Sequence, residues 1–263
     1  MNYLIGLLCL CLVALEVKAV PAPAQADGSK YFSANDLPKC ATDEDQLADC
    51  IKEILNTLMP RLKDGNPKLR IPPYEPLHLN RTSFQYSSGT VNGRITARNA
   101  KIYGIAANTA KEVKIELNGD KVKLNLITFM PKMNIVGSYK ADLQVNQLHL
   151  KPKGEFNVTL KDVEVAIQTE GELYKKDGHR FLRLSNIDTS PKIGDLKIKA
   201  NGIFADPELD ELALNFANQY WRDIYGIMLP ETRQFWQPLM LRMFNEALEL
   251  VPIDQFINDE SFN

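Results

Sequence analysis

Three histidines, His78, His149 and His179, are the side chains best suited by type to proton transfer or metal binding, and each stands alone among strand-like or turn-like neighbours. A catalytic centre needs a nucleophile or a metal held by convergent polar groups. The chain has no Gly-x-Ser-x-Gly elbow, no His-Glu-x-x-His helix and no glycine-rich phosphate loop. Glu170 and Glu172 lie two apart, on one face of a strand, which reads as a solvated face rather than an acid/base pair. The expectation is therefore a protein without catalytic residues, metal ligands or cofactor.

The sequence is rich instead in bulky apolar side chains, several with a single polar atom at the tip. Tyr139, Tyr220, Trp221, Tyr225 and Trp236 pair an apolar body with one hydrogen-bonding group, and Phe129, Phe156, Met240 and Phe244 accompany them. Sparse polar contacts on apolar walls are what orients a lipid-like molecule. These nine are the candidate ligand-binding residues, with ordinary core packing as the competing reading of each.

The compartment follows from the ends and the cysteines. Leu4 to Leu15 is almost unbroken in apolar residues and is followed by Val17-Lys18-Ala19, so Met1 to Ala19 reads as a signal peptide. The apolar run is too short to span a bilayer core of roughly 30 Å, and no later segment is long and apolar enough for stable membrane insertion. Cys40 and Cys50 remain after cleavage and form the one available intramolecular disulfide in an oxidising compartment. Asn80-Arg81-Thr82 and Asn157-Val158-Thr159 are glycosylation sequons. A formal net charge of −2 argues against a nucleic-acid partner.

Periodicity supplies the elements that must position the aromatic residues. Residues 20–38 are small, polar and proline-containing, and read as a disordered leader before a single domain over 39–263. Thr42 and Asp45 resemble a capping box for a helix carrying Leu47, Ile51, Ile54, Leu55, Leu58 and Leu62, with Pro60 kinking or closing its last turn before Gly65. After the Ile71-Pro72-Pro73-Tyr74-Glu75-Pro76 segment the period becomes two. Val113, Ile115 and Leu117 lead through Asn118-Gly119 into Val122, Leu124 and Leu126, and a second hairpin turns at Asp177-Gly178. Phase slips between Val145 and Leu148, and between Leu160 and Val163, mark candidate bulges in a long antiparallel meander. From Pro207 the period returns to 3.6, with an apolar surface wide enough to need more than one covering layer. Pro230 and Pro238 are expected to interrupt that rod, giving two or three helical pieces or one kinked rod that ends before Pro252.

Read together, several short segments resemble the takeout and juvenile-hormone-binding proteins of insects. They are the cysteine pair ten apart, Ile71-Pro72-Pro73 with Pro76-Leu77, and Asn99-Ala100-Lys101-Ile102-Tyr103-Gly104-Ile105. Phe129-Met130-Pro131-Lys132 leading into Gly137-Ser138-Tyr139, Ile203-Phe204-Ala205-Asp206-Pro207-Glu208-Leu209 and Val251-Pro252-Ile253-Asp254 complete the series. The resemblance implies an α+β fold in which a long C-terminal helix is wrapped by a highly curved antiparallel β-sheet enclosing an apolar tunnel, a lipid-transfer type of architecture. It implies a secreted carrier of a terpenoid, quinone or fatty-acid-like ligand that is not chemically altered. Hormone carriers proper hold a second disulfide, and no cysteine follows Cys50, so the chain is more similar to the takeout branch. The rival reading is a secreted factor with a filled interior, acting through its surface on an extracellular receptor.

Overall fold

The structure, a computed structural model, describes residues 38–88 and 91–257. The expected signal peptide and the leader up to residue 37 lie outside the described residues. Seven strands form one antiparallel sheet: β1 Leu77–Ser88, β2 Val91–Tyr103, β3 Thr109–Asn118, β4 Lys121–Val145, β5 Leu148–Leu150, β6 Lys153–Lys176 and β7 His179–Ala200. The path β1-β2-β4-β6-β7 has two ends, so the sheet is not closed into a barrel. β4 is long enough to take β3 along its first half and β2 along its second, which makes the arrangement more than a plain meander. The alternation of Leu77, Leu79 and Ile95, Ala97 that builds β1 and β2 went unread in the sequence.

Both hairpin expectations hold. Asp177 and Gly178 turn between Lys176 and His179 with φ of 52° and 83°, the doubly positive pair that a tight turn favours. In the other hairpin Asn118 pairs with Lys121, so the turn residues are Gly119 and Asp120, one later than the Asn-Gly signal suggested. The slip expected between Val145 and Leu148 is not a bulge: Asn146, at φ 54°, turns the chain so that β5 folds back onto β4.

The slip between Leu160 and Val163 is real, but it is shared. In β6 the buried or half-buried series Phe156, Val158, Leu160 passes to Val163, Val165, Ile167, leaving Lys161 and Asp162 both exposed. At the same level β4 exposes Pro131 and Lys132 in succession, and β7 exposes Gly194 and Asp195. Pairing is unbroken across the line, with Met130 opposite Val163 and Lys132 opposite Lys161, then Lys161 opposite Asp195 and Val163 opposite Ile193. Three neighbouring strands therefore reverse their inward face together, with no extra residue inserted. The result is a crease across the sheet rather than a β-bulge. Asp162 takes a φ of 50° to make it, a conformation that short polar side chains tolerate. Its neighbour Gly194 has no room for a Cβ, which would lie 2.9 Å from that of Asp162. Pro131 sits where β3 has ended and β2 has not begun, so its missing N–H deprives no strand on that side.

Helix α1, Glu44–Arg61, is capped by Asp43, whose carboxylate accepts from the Gln46 N–H at 3.1 Å; the cap is one residue later than the Thr42 expected. Pro60 closes the helix early, and a 3-10 turn, Leu62–Asp64, follows before Gly65. The disulfide joins Cys40 to Cys50 with Cα atoms 5.6 Å apart, within the range such a bridge requires. Two helices follow the sheet, α2 Pro207–Gln219 and α3 Trp221–Leu248. The break falls at Tyr220, whereas Pro230 and Pro238 both lie inside α3. The hydrogen bond that Pro230 forfeits would end on the Gly226 carbonyl, and no other group crowds Gly226, so water can satisfy that carbonyl without ending the helix.

Helices and sheet are stitched by asparagines. Asn218 of α2 accepts from the Ile198 N–H at 2.7 Å and donates to its C=O at 2.8 Å. Asn245 of α3 does the same for Leu184 at 2.8 and 2.9 Å, and Asn56 of α1 for Ala110 at 2.7 and 3.2 Å. Each side-chain amide supplies an edge-strand residue with the partners a further strand would have given. The loops are pinned by carboxylates in the same manner: Glu75 gathers the N–H groups of Gly104 and Ala106, and Asp210 those of Gly202, Ile203 and Phe204.

Candidate ligand-binding site

The nine aromatic and methionine candidates divide by which side of the crease they occupy. Tyr139, Phe156 and Trp221 belong to one packed cluster with Ile95, Leu143, Val158, Ile198, Ala217, Ile224 and Met228. Most of it lies on the side formed by β1, β2, the second half of β4 and the start of α3, and it reaches across the crease to Val163, with Met130, Val165 and Ile193 packed against it. Trp221 and Phe156 are 4 % exposed and Tyr139 8 %; the Tyr139 hydroxyl donates to the Asn201 carbonyl at 3.0 Å. These three fill the core and have little surface left for a ligand.

Across the crease the inward face is mixed: Val122, Val163, Leu173 and Ile187 are buried, as are Thr128 and Thr169, while other apolar side chains are only partly covered. Leu124, Leu126 and Met130 of β4, Val113, Ile115 and Leu117 of β3, and Val165 and Ile167 of β6 are half-buried. Trp236 and Met240 of α3 are half-buried on this side as well, and Tyr225 stands near the crease, where its hydroxyl lies 3.4 Å from the Pro191 carbonyl. Burial pushes the Tyr225 phenol up to about 12, against an opposing pull from the nearby charge of Arg233. It is a neutral donor at any physiological pH.

The remaining candidates are elsewhere. Phe129 shares a strand face with Glu164, opposite to Thr128 and Met130, and lies beneath the Lys111 ammonium at 5.1 Å; the stretch was expected to point inward, but β4 inverts only past Pro131. Tyr220 and Phe244 are each 41 % exposed, Tyr220 resting on Phe216 at 4.5 Å between ring centroids. Asn80 is exposed on β1 and Asn157 half-buried on the outer face of β6, so both sequons face away from the core.

Sequence reasoning missed several polar groups where α3 crosses β7, with Thr189 buried and Ser190 exposed on opposite faces of the strand. Arg233 donates from Nη2 to the Ser190 hydroxyl at 3.1 Å, while its Nε is buried without a partner. Thr189 is 0 % exposed and its hydroxyl is also unpartnered. Tyr225 reaches the adjoining Pro191. No local motif announces such a group, because α3 and β7 meet only in the folded chain.

The histidines are less isolated than the sequence implied. His149 hydrogen-bonds Asp142, and His179 Nδ1 meets Asp254 Oδ2 at 2.7 Å, tying the β6–β7 hairpin to the 3-10 turn Ile253–Gln255. The His149 hydrogen bond, reinforced by the charges of Lys151 and Lys140, holds the Asp142 carboxyl below its ordinary range. Asp142 borders an open groove of about 540 Å³ with Gln85, Ser87, Asn92, Gly93 and Arg94. The Ser87 hydroxyl there donates to Asn92 Oδ1 rather than to a histidine. This groove is lined by none of the nine candidate residues. Glu170 is exposed and pairs with Lys123 at 3.7 Å, in keeping with a solvated strand face. Among the described residues no helix is long and apolar enough to cross a membrane, and no three His, Cys, Asp or Glu side chains are grouped to hold a metal.

A family profile described as haemolymph juvenile hormone binding protein matches residues 9–258. Takeout 1 of Epiphyas postvittana superposes with a TM-score of 0.69 at 17 % identity, covering 84 % of this chain and all of its own. A lipopolysaccharide binding protein is a more distant likeness, with a TM-score of 0.35 at 16 % identity over 74 % of this chain and 36 % of its own. No curated protein gives a significant sequence match.

Proposed function

The chain belongs to the haemolymph juvenile hormone binding protein family, and from that premise we propose that it is a secreted carrier holding a small hydrophobic ligand, a terpenoid, quinone or fatty acid, without altering it. The observation that supports this reading is that, beyond the crease, Leu124, Leu126, Ile115 and Ile167 remain half-buried among buried neighbours such as Val122, Val163 and Ile187. An apolar wall left partly uncovered is a cost to a folded chain unless another apolar body covers it.

The energetics suffice. A ligand of about 15 to 20 carbons losing about 300 Å² of apolar surface gains on the order of 7 kcal/mol before association costs. Trp236, Met240 and Tyr225, all half-buried, are the members of the nine this reading assigns to ligand contact. The disulfide and the two outward-facing sequons accord with export, with glycans carried at Asn80 and Asn157.

Organic-solvent extraction of the purified protein followed by mass spectrometry tests the proposal. A lipid near one equivalent, displaced by a farnesoid or fatty-acid probe, supports it. A clean extract with no probe uptake would favour a protein acting through its surface.

A further inference from the structure

Charged side chains on the outer face of the sheet follow one rule beyond the crease and another on the packed side. Between the crease and the hairpin ends, neighbours across strands alternate in sign: Glu116, Lys123 and Glu170 stand level on β3, β4 and β6, Lys121 faces Glu172, and Glu164 faces Lys192. Two of these close as ion pairs, Lys123 with Glu170 and Lys192 with Glu164, both at 3.7 Å. On the packed side Arg81 faces Arg98 across β1 and β2, Lys140 faces Lys153 across β4 and β6, and Lys132 faces Lys161. Opposite charges support a ladder and like charges directly opposite weaken it. The second arrangement therefore costs stability that the first shows the same sheet can avoid.

Arg81, Arg98, Lys140 and Lys153 are all exposed, and among the described residues none of the four lies within ion-pair distance of a carboxylate. Lys101 on β2 and Lys199 on β7, level with each other and also exposed, extend the positive field along the next row. The carboxylates nearby are Asp142, already held by His149 and 3.9 Å from Lys151, Asp195, paired with Lys161 at 3.6 Å, and Glu155, which lies opposite Ser138. Two ordinary explanations fail. The chain as a whole carries a net charge of −2, so the excess is local to this face. Lysines that guard a sheet against pairing with another chain belong on an edge strand, whereas Arg98, Lys140 and Lys153 stand on β2, β4 and β6, which have strands on both sides.

We infer that this face docks a sulfated, linear polysaccharide outside the cell; the inference rests on the export in the carrier reading and is independent of the cargo. The four cations step across four adjoining strands, a span of roughly 15 Å at the ordinary strand spacing. A chain of regularly placed sulfates lying across the strands meets them in turn and releases its counterions to solvent, whereas a lone phosphate or carboxylate answers only one or two. An anionic bilayer fits less well. Its negative surface potential belongs to the cytoplasmic leaflet, and the exposed apolar side chains suited to enter a bilayer, Leu209, Leu212, Ile227 and Phe244, are on α2 and α3 instead. A carrier so held would be concentrated at cell surfaces, where its cargo is taken up or delivered.

The test titrates heparin into the full chain by calorimetry, both as secreted and after enzymatic removal of N-glycans, because the sequons at Asn80 and Asn157 border the face. Affinity should fall about 10- to 100-fold between about 50 and 200 mM salt, the dependence that about four ion contacts give. Removing charge on this face, in the triple variant Arg98→Gln, Lys140→Gln, Lys153→Gln, should weaken binding about tenfold or more and flatten the salt dependence, with the unfolding midpoint unchanged or raised because like charges have been parted. Removing as much charge beyond the crease, in Lys121→Gln, Lys123→Gln, Lys192→Gln, should leave heparin affinity unchanged. No binding by either form at low salt, or equal losses from the two triple variants, overturns the docking face. Tighter binding to phosphatidylserine vesicles than to heparin overturns the polysaccharide as partner. Lipid extraction decides the carrier reading separately, since none of these cations is among the side chains assigned to cargo.

Discussion

On one side of the crease Tyr139, Phe156 and Trp221 interlock with aliphatic side chains until almost no surface is left; on the other, Leu124, Leu126, Ile115 and Ile167 face inward only half-covered. The same three long strands build both halves, so the difference does not lie in secondary structure. It lies in which face of each strand turns inward, and in what covers it. The packed half is held by dispersion and burial. The other gains support from ties that need no filled interior: the Cys40–Cys50 bridge, the pairing of Cys40 with Ile257, the Asn56 clamp and the contact of His179 with Asp254. Where apolar filling is given up, covalent and polar links keep the backbone in place.

The sharpest way to break this contrast is to truncate one tryptophan in each half. Trp221→Ala should cost about 3 to 5 kcal/mol in urea unfolding, as large cavities in packed cores do, whereas Trp236→Ala should cost less than about 2 kcal/mol and weaken probe uptake instead. Equal costs would erase the distinction. Removing the disulfide by Cys40→Ser with Cys50→Ser should cost about 3 kcal/mol, with amide exchange rising first around Ile257; protection lost first at Trp221 would contradict the division of labour.

The two asparagine clamps on β7 refine the comparison, since Asn218 serves one half and Asn245 the other. Asn218→Ala and Asn245→Ala each strand an N–H and a C=O on β7, a loss of about 1 to 3 kcal/mol apiece, read as faster exchange at the Ile198 and Leu184 amides respectively. Coupled loss at both amides from either variant would mean that the rod yields as one body.

How much of this could be read beforehand depends on range. The Gly-containing turns and the Leu160-to-Val163 slip are local and were legible, because a turn's φ and a strand's period are written in adjacent residues. The shared nature of the slip was not, since it requires knowing that Asp162 lies level with Pro131 and Gly194. Two helical pieces are present as expected, but the break falls at Tyr220 and not at Pro230 or Pro238, where the local rule against proline is overridden because the helix has packing to support it and solvent beside it. Arg233 and Ser190 carried no signal, being 43 positions apart until the fold joins them. The family resemblance was legible because its segments keep their order, although each is weak.

The crease itself is open to a smaller test. Asp162→Gly should be neutral or stabilising by about 1 kcal/mol, because glycine adopts positive φ without penalty, while Asp162→Val should cost about 1 to 2 kcal/mol; thermal unfolding of the pair separates them. The smallest effect is expected at the exposed Asp142. Its depressed carboxyl contributes stability above the ordinary carboxylate range and loses it as pH falls through the folded-state value. Titration by nuclear magnetic resonance should find its midpoint below that of a free aspartate, returning upward in His149→Ala.

The crease also sets a measure. From Val122 to Met130, β4 offers one uninterrupted inward row, roughly 26 Å at the rise of an extended strand, before the side chains swing outward and the packed half begins. The length of that row is fixed by the position of the crease and not by the length of β4, which runs on to Val145 with its opposite face turned inward.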